Sequence, residues 1–288
     1  MKCFYHRDLD GKCAAAIVLH SEPECQLIPV DYRAKIPVEN VEKDEEVVIV
    51  DFSFPVEEDW KRLLQRTEDV VWIDHHETAI RKSEALKIDH LPGLRRVGES
   101  GCLLTWKWFR QENQVPKAIE LINRWDLWTH HDDPEVVHFV FGLKVQSTHP
   151  SSGLWETLFR SDEAIAAIQS EGRIIEAYER KRDRGYLHAF GFEAEFEGYR
   201  CLACNLGLGS SKLFESRKDR GYDIFISFVY DGGTYSVFLF SEKVKVNDLA
   251  EKYGGGGHAG AAGFTCADLP FSRVGKRPGR SESPPVHQ

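Results

Sequence analysis

Two four-residue runs, Val47-Val48-Ile49-Val50 and Val70-Val71-Trp72-Ile73, constrain this chain more than any other feature. Neither alternates apolar with polar residues. A strand with one solvated face shows that alternation, so these runs belong to strands covered by helices on both faces, as in a parallel sheet. The neighbouring segments keep the matching rhythm. Lys2 to Tyr5 precedes helix-like Lys12 to His20, Gln26 to Val30 follows, Glu46 to Val50 precedes Pro55 to Arg66, and Val70 to Ile73 precedes Glu77 to Leu86. This succession reads as βαβ units and predicts an α/β fold whose N-terminal domain is a mainly parallel sheet with helices on both faces. Ser100 is placed to cap a helix through Leu103 to Trp108, and Pro116 suits the first turn of another running to Arg124.

The second half reads differently. Ser161 to Tyr186 is charged and helix-like, with Ile165, Ile168, Ile174, Ile175 and Tyr178 only loosely periodic, which suits a helical link between two domains. Beyond it, Tyr199 to Cys204, Asp223 to Val229 and Thr234 to Phe240 read as strands, and Asp231-Gly232-Gly233 as a hairpin turn. The expected division is an N-terminal α/β domain at 1–160, a helical linker at 161–190, a smaller glycine-rich α/β domain at 191–268, and a tail at 269–288. Within that tail Ser272 to Gln288 is rich in Pro, Ser, Gly, Arg and Lys, and the tail is expected to be disordered. No internal repeat is present.

Composition narrows the function. A formal net charge of -9 opposes capture of duplex nucleic acid by counterion release, so a polyanionic substrate is expected to be short and held locally. Seven cysteines, odd in number and scattered through apolar stretches, suit reduced core thiols and no disulfides. Cys201-x-x-Cys204 stands in a strand-like run without a second pair and reads as core. No apolar run approaches the ~20 residues that cross a bilayer, and the N-terminus enters charged sequence early, so a cytoplasmic protein without a membrane partner is expected.

Four acidic or imidazole clusters stand where the strands are expected to end: His6-Arg7-Asp8-Leu9-Asp10-Gly11, Asp51, Asp74-His75-His76, and Asp126 in Arg124-Trp125-Asp126-Leu127-Trp128. The carboxyl ends of parallel strands converge on one crevice, so these groups can meet there. Any one acidic residue after a strand is more often a helix cap than a ligand, but four at four convergent positions favour one site. Carboxylate oxygens with imidazoles and no thiolate suit manganese or magnesium, with cobalt an alternative, whereas structural zinc recruits cysteine. His130-His131-Asp132-Asp133 lies in a polar stretch with no strand to fix it and reads as a surface loop.

On these residues the chain resembles the DHH phosphoesterase superfamily. His6-x-Asp8-x-Asp10-Gly11, Asp51, Asp74-His75-His76 and Asp126 look like its four motifs, and Gly254 to Phe264 looks like the glycine-rich signature of the DHH-associated C-terminal domain. The resemblance implies two divalent cations. One would be held by Asp8 and Asp51 with His6 as a further ligand, the other by Asp10, Asp51, His75 and Asp126, with Asp51 shared. It implies that Asp74 orients the His75 ring and that His76 faces the substrate phosphate. Gly254, Gly255, Gly256 and Gly257, able to adopt positive φ and expose amides, would wrap an anion together with His258. Many relatives carry an arginine just before this loop, where Phe240-Ser241 stands here; Lys243 or Lys245 is near enough to replace it.

The expected activity is hydrolysis of short oligonucleotides or nucleotides, resembling nano-RNases that also act on adenosine 3',5'-bisphosphate, through a water acidified by two cations. Cyclic dinucleotide phosphodiesterase, single-strand exonuclease and inorganic pyrophosphatase are the enzymatic alternatives. A nucleotide-binding sensor module is the non-enzymatic one. A homodimer is left open.

Overall fold

The computed structural model describes residues 1–32, 34–110, 114–130, 133–207 and 211–275. The chain opens with β1 (Lys2–His6), α1 (Leu9–Ser21), β2 (Gln26–Val30), β3 (Val47–Val50), α2 (Glu57–Leu64), β4 (Val70–Ile73) and α3 (Glu77–Lys82). Helices α4 (Gly101–Phe109), α5 (Lys117–Asp126), α6 (Pro134–Leu143), α7 (Gly153–Leu158) and α8 (Asp162–Phe190) follow. Then come β5 (Gly191–Phe196), β6 (Tyr199–Asn205), β7 (Ile224–Tyr230), β8 (Tyr235–Phe240), α9 (Val246–Lys252), β9 (Gly256–His258), β10 (Ala261–Cys266) and β11 (Ser272–Arg273).

Strands β1 to β4 form a parallel sheet in the order β2-β1-β3-β4. Its two faces explain the unbroken apolar runs. Val48, Val50 and Ile73 pack with Cys3, Tyr5 and the small residues Ala14 to Ala16 of α1. Val47, Ile49, Val70 and Trp72 pack on the opposite face with Phe4 and with Trp60 and Leu63 of α2. The positions of β3 and β4 are therefore all apolar because both their faces are covered. The order also sets β1 beside β3, although β2 lies between them in sequence, so the carboxyl ends of β1 and β3 flank the point where the winding reverses.

Three local expectations are corrected. Ser100 occupies the N-cap of α4, but its hydroxyl makes no capping bond and stands 3.4 Å from Cys102 Sγ. Pro116 is the N-cap of α5 rather than part of its first turn. That helix runs on past Arg124 and ends at Asp126, so Asp126 is a helix terminus and not a strand-end loop. The chain closes there with Trp128 at φ +57, its amide donating to Trp125 O while the Thr129 amide donates to Arg124 O, a Schellman closure with tryptophan where glycine is usual.

The chain divides into two compact units, Met1–Glu176 and Ala177–Gln288, and the division falls inside α8. Ile165 and Ile168 belong to the first unit's core, whereas Ile174 and Tyr178 are exposed, which is why the periodicity of this segment looked loose. The second unit carries a mixed sheet in the order β11-β5-β6-β7-β8-β10-β9, in which only β6 and β7 run parallel. Asp231 accepts from the Gly233 and Thr234 amides and shapes the β7–β8 turn. Glu197 and Gly198, at φ +53 and +80, join β5 to β6 by a two-residue turn of the primed kind. No helix among the described residues is long and apolar enough to cross a membrane.

Part of the tail expected to be disordered, 269–288, is structured. Ser272 and Arg273 form β11 and pair with Glu195 and Ala194, and the Val274 amide donates to Glu193 O. Phe271 is 8% exposed, its ring 5.5 Å from Phe228 and 6.2 Å from Phe196. One large apolar side chain anchors a strand edge that polar neighbours had hidden. Residues 276–288 of that tail lie outside the described residues. Phe271→Ala should cost about 3 kcal/mol, the usual loss for a buried phenylalanine, read as a lower urea midpoint. An unchanged midpoint would show that this edge does not support the unit.

Candidate metal centre

The exits of β1, β3 and β4 bring the predicted residues together. His6 ends β1, and Asp8 follows as the N-cap of α1, its Oδ1 accepting from the Gly11 amide at 2.9 Å. Its other oxygen lies 2.8 Å from His6 Nδ1, so Asp8 serves as both a cap and a site carboxylate. Asp51 follows β3 at φ +53, a conformation that L residues adopt at a cost and that clusters at functional positions. Its amide is fixed by Ile73 O.

His75 lies where these groups meet. Its Nε2 is 3.2 Å from Asp51 Oδ1, 3.5 Å from Asp126 Oδ2 and 3.8 Å from Asp10 Oδ2. His6 Nδ1 stands 3.7 Å from Asp51 Oδ2. Three overlapping sets of donors result, each with its atoms within 4.8 Å of one another: His6, Asp8 and Asp51; Asp51, His75 and His76; Asp10, His75 and Asp126. Asp51 and His75 each belong to two sets.

The electrostatics are those of a crowded carboxylate nest. Burial first, then the charges of Asp10 and Asp8, push the Asp51 carboxyl well above its ordinary value. Burial and Asp10 do the same to Asp126, opposed by His75. Burial would lower His6, but the neighbouring carboxylates of Asp51 and Asp8 overcome it and raise the imidazole to about 10. Burial would raise Asp8, but His6 and the Gly11 amide together overcome it, and the carboxyl falls to about 2.

Two observations show that this donor set fits divalent cations. Asp51 is 1% exposed, yet neither of its oxygens accepts a hydrogen bond, and Asp126 Oδ2 is likewise buried without a donor. Buried carboxylate oxygens without donors are costly unless a cation satisfies them. The second observation is Gly101, which the sequence reading did not single out. A Cβ there would stand 2.5 Å from Asp51 Cβ and 2.9 Å from Asp10 Oδ2. Only glycine lets the start of α4 approach, and the Gly101 and Cys102 amides then donate to Asp10 at 2.6 and 2.9 Å. Asp10, rather than Ser100, thus caps α4, and the positive end of that helix steadies its charge. Gly101→Ala should destabilise the chain by about 2 kcal/mol, the usual cost of overpacking, and weaken manganese affinity as Asp51 and Asp10 shift. Calorimetric titration with wild-type affinity would show that the close approach is immaterial.

Asp74 departs from its expected partner. Its Oδ1 accepts from the His75 and His76 amides at 2.7 and 3.2 Å and meets His76 Nδ1 at 2.7 Å, so it orients the His76 ring and not that of His75. The short side chain folds back over its own turn, and the ring two residues on is the one in reach. Tyr32, just beyond β2, is a second neighbour that the sequence reading passed over. It is 42% exposed and packs its ring 4.6 Å from Phe52.

The glycine run is in part a strand rather than a loop. Gly254, at φ +75, closes α9: its amide donates to Glu251 O and that of Gly255 to Ala250 O, a Schellman closure. A Cβ on Gly255 would strike Gly263 O at 2.1 Å, and one on Gly257 would strike Ala261 O at 2.6 Å. Gly256 meets nothing, and Gly256 to His258 form the edge strand β9 against β10. Ser241, in the arginine's expected place, donates to Asp223 O and accepts from the Lys243 and Val244 amides, while Lys243 Nζ donates to Tyr222 O. Lys245 is the N-cap of α9.

Of the polar stretch after α5, His130 is buried and stacks 4.9 Å from Trp125, and Asp133 caps α6 and pairs with Arg124; His131 and Asp132 lie outside the described residues. Cys201 and Cys204 are buried in β6 and, like the other five cysteines, free.

No family model matches the chain. An uncharacterized protein of Acanthamoeba polyphaga mimivirus is 23% identical over 245 residues, covering 81% of this chain and 56% of that protein. The chain thus spans little more than half the length of that curated relative. Among solved structures, the DHH domain of a member of the s1p family of ribosomal proteins matches over 91% of this chain and 81% of its own, with a TM-score of 0.59 and 13% identity. RecJ from Thermus thermophilus in complex with Mn2+ matches over 91% of this chain and 49% of its own, with a TM-score of 0.45 and 15% identity. The fold is that of a DHH domain.

Proposed function

We propose that the chain is a DHH-superfamily phosphoesterase that holds two divalent cations, manganese foremost, and hydrolyses phosphate esters of short oligonucleotides or nucleotides. The observation that carries this reading is Asp51: buried, without a hydrogen-bond donor on either oxygen, and common to two ligand sets. One cation falls to Asp8, Asp51 and His6, the other to Asp10, Asp51, His75 and Asp126. When bound, such a pair acidifies a water and neutralises charge on phosphoryl oxygens. His76, held by Asp74, is assigned to the substrate phosphate. Gly254 to Gly257 and His258 are assigned to substrate binding; the edge position of β9, with no Cβ to screen its glycine backbone, supports that role.

The net charge of -9 supports short substrates, because the chain has no excess of cations to track a long backbone. The test is a manganese-supplemented panel of bis-nitrophenyl phosphate, adenosine 3',5'-bisphosphate, dinucleotides, longer oligonucleotides, cyclic dinucleotides and pyrophosphate. We expect kcat/KM to peak for the bisphosphate and for oligonucleotides of roughly two to five units, a length set by the reach of one ligand cleft. A steady rise with strand length would point instead to a processive exonuclease. No turnover of any member would overturn the enzymatic reading and favour a sensor module.

A further inference from the structure

The four predicted motifs leave one polar group at the centre's edge without a role. Tyr32 stands two residues beyond β2, at the same carboxyl end of the sheet that presents His6 and Asp51. Its ring lies 4.6 Å from Phe52, 5.4 Å from His6 and 6.1 Å from His76, edge-on to both imidazoles. Phe52 in turn stacks 6.1 Å from His6 and is fully buried. The phenol is thus mounted on a rigid aromatic base, with 42% of the residue open to solvent.

The imidazoles it flanks carry the site's carboxylates. His76, 6.1 Å from the Tyr32 ring, is held by Asp74 at 2.7 Å, and His6, 5.4 Å from it, stands 2.8 Å from Asp8 and 3.7 Å from Asp51. A neutral phenol can donate one hydrogen bond, and the ligand that brings acceptor oxygens to a carboxylate-lined, cation-binding site is a phosphoryl group.

We propose that Tyr32 is a substrate-contacting residue whose hydroxyl donates to a non-bridging oxygen of the phosphoryl group, from the wall formed with Phe52, His6 and His76. The proposal rests on the phosphoesterase reading for the identity of its ligand. The ring's packing fixes the direction of the hydroxyl before substrate arrives, so the hydrogen bond forms without ordering a mobile side chain. Tyr32 therefore acts on the substrate and not on the cations.

Tyr32→Phe keeps the ring on Phe52 and removes only the oxygen. With the manganese-loaded full chain, we expect the dissociation constant for inorganic phosphate to rise about tenfold to a hundredfold, as for a lost hydrogen bond to a charged group. The kcat/KM for adenosine 3',5'-bisphosphate should fall over the same range, while manganese affinity and Tm stay at wild-type values. Phosphate affinity within about twofold of wild type, below the loss of even a weak hydrogen bond, would overturn the proposal whether or not any ester is turned over. Weakened manganese binding would also overturn it, by showing that Tyr32 supports the ligands. If no ester is hydrolysed even by wild type and Tyr32→Phe still weakens phosphate binding, the hydrolase reading fails and the assignment of Tyr32 stands.

Discussion

Asp51→Asn is expected to lower kcat by at least about a hundredfold, some 2.7 kcal/mol of transition-state stabilisation, while the fold persists. The size follows from position. Among the described residues Asp51 alone links the set around His6 and Asp8 to the set around His75 and His76, so on the proposed assignment its loss would weaken both cation positions together. The neutral amide also removes a charge that Asp10 and Asp8 oppose at Asp51 itself. The metal-free variant should therefore melt no lower than the metal-free wild type. That pairing of outcomes separates chemistry from damage: lost turnover with an equal or higher Tm assigns Asp51 to the reaction. Turnover above about a tenth of wild type, a change under ~1.4 kcal/mol, would show that Asp51 is not the shared ligand.

How far this arrangement could be read beforehand depended on whether a signal was local. The parallel sheet was legible because coverage on both faces leaves an unbroken apolar run, a one-strand property visible in Val47 to Val50. The residues that end those strands were legible for the same reason: once the strands are placed, His6, Asp8, Asp51 and His75 follow by counting. What was not legible depends on partners far apart in sequence. The capping of α4 by Asp10 spans more than ninety residues, and only the closeness of Gly101 to Asp51 reveals why glycine stands there. Tyr32 carries no motif, and its relation to His6 and His76 exists only once β2 is set beside β1. Asp74 was assigned to the wrong imidazole because residue spacing does not say which way a short side chain folds. Phe271 was lost in a polar composition, where one aromatic residue outweighed its neighbours by finding a core. The glycine run misled in another way: the freedom that suits an anion loop equally suits a helix closure and a tight strand edge, and Gly254, Gly255 and Gly257 serve those ends.

The charge crowding that defines the site should also govern how stability depends on pH and metal. The Asp51 and Asp126 carboxyls titrate above their ordinary 3.8 in the folded chain, so between that value and the raised one the folded state holds more protons than the unfolded state. Stability then falls as pH rises through this window. His6, raised to about 10, contributes stability that is fully present below its ordinary 6.5 and is lost as pH climbs through about 10. Asp8, lowered to about 2, contributes stability present above its ordinary 3.8 and lost only toward that acid limit, so it adds no slope near neutrality. The metal-free chain is thus expected to lose stability as pH rises above 3.8 through the raised carboxyls, and again between 6.5 and about 10 as His6 titrates. Cations reverse the argument, since they bind the ionised carboxylates and the neutral imidazoles. Manganese at about 100 times its dissociation constant should add roughly 2.7 kcal/mol, and more at high pH than at low because fewer protons must be displaced. Urea melts in chelator and in manganese at three pH values give both quantities. A metal-free stability that is flat or rising over this range, or a manganese increment that does not grow with pH, would mean that the carboxylates around Asp51 are not the cation's ligands.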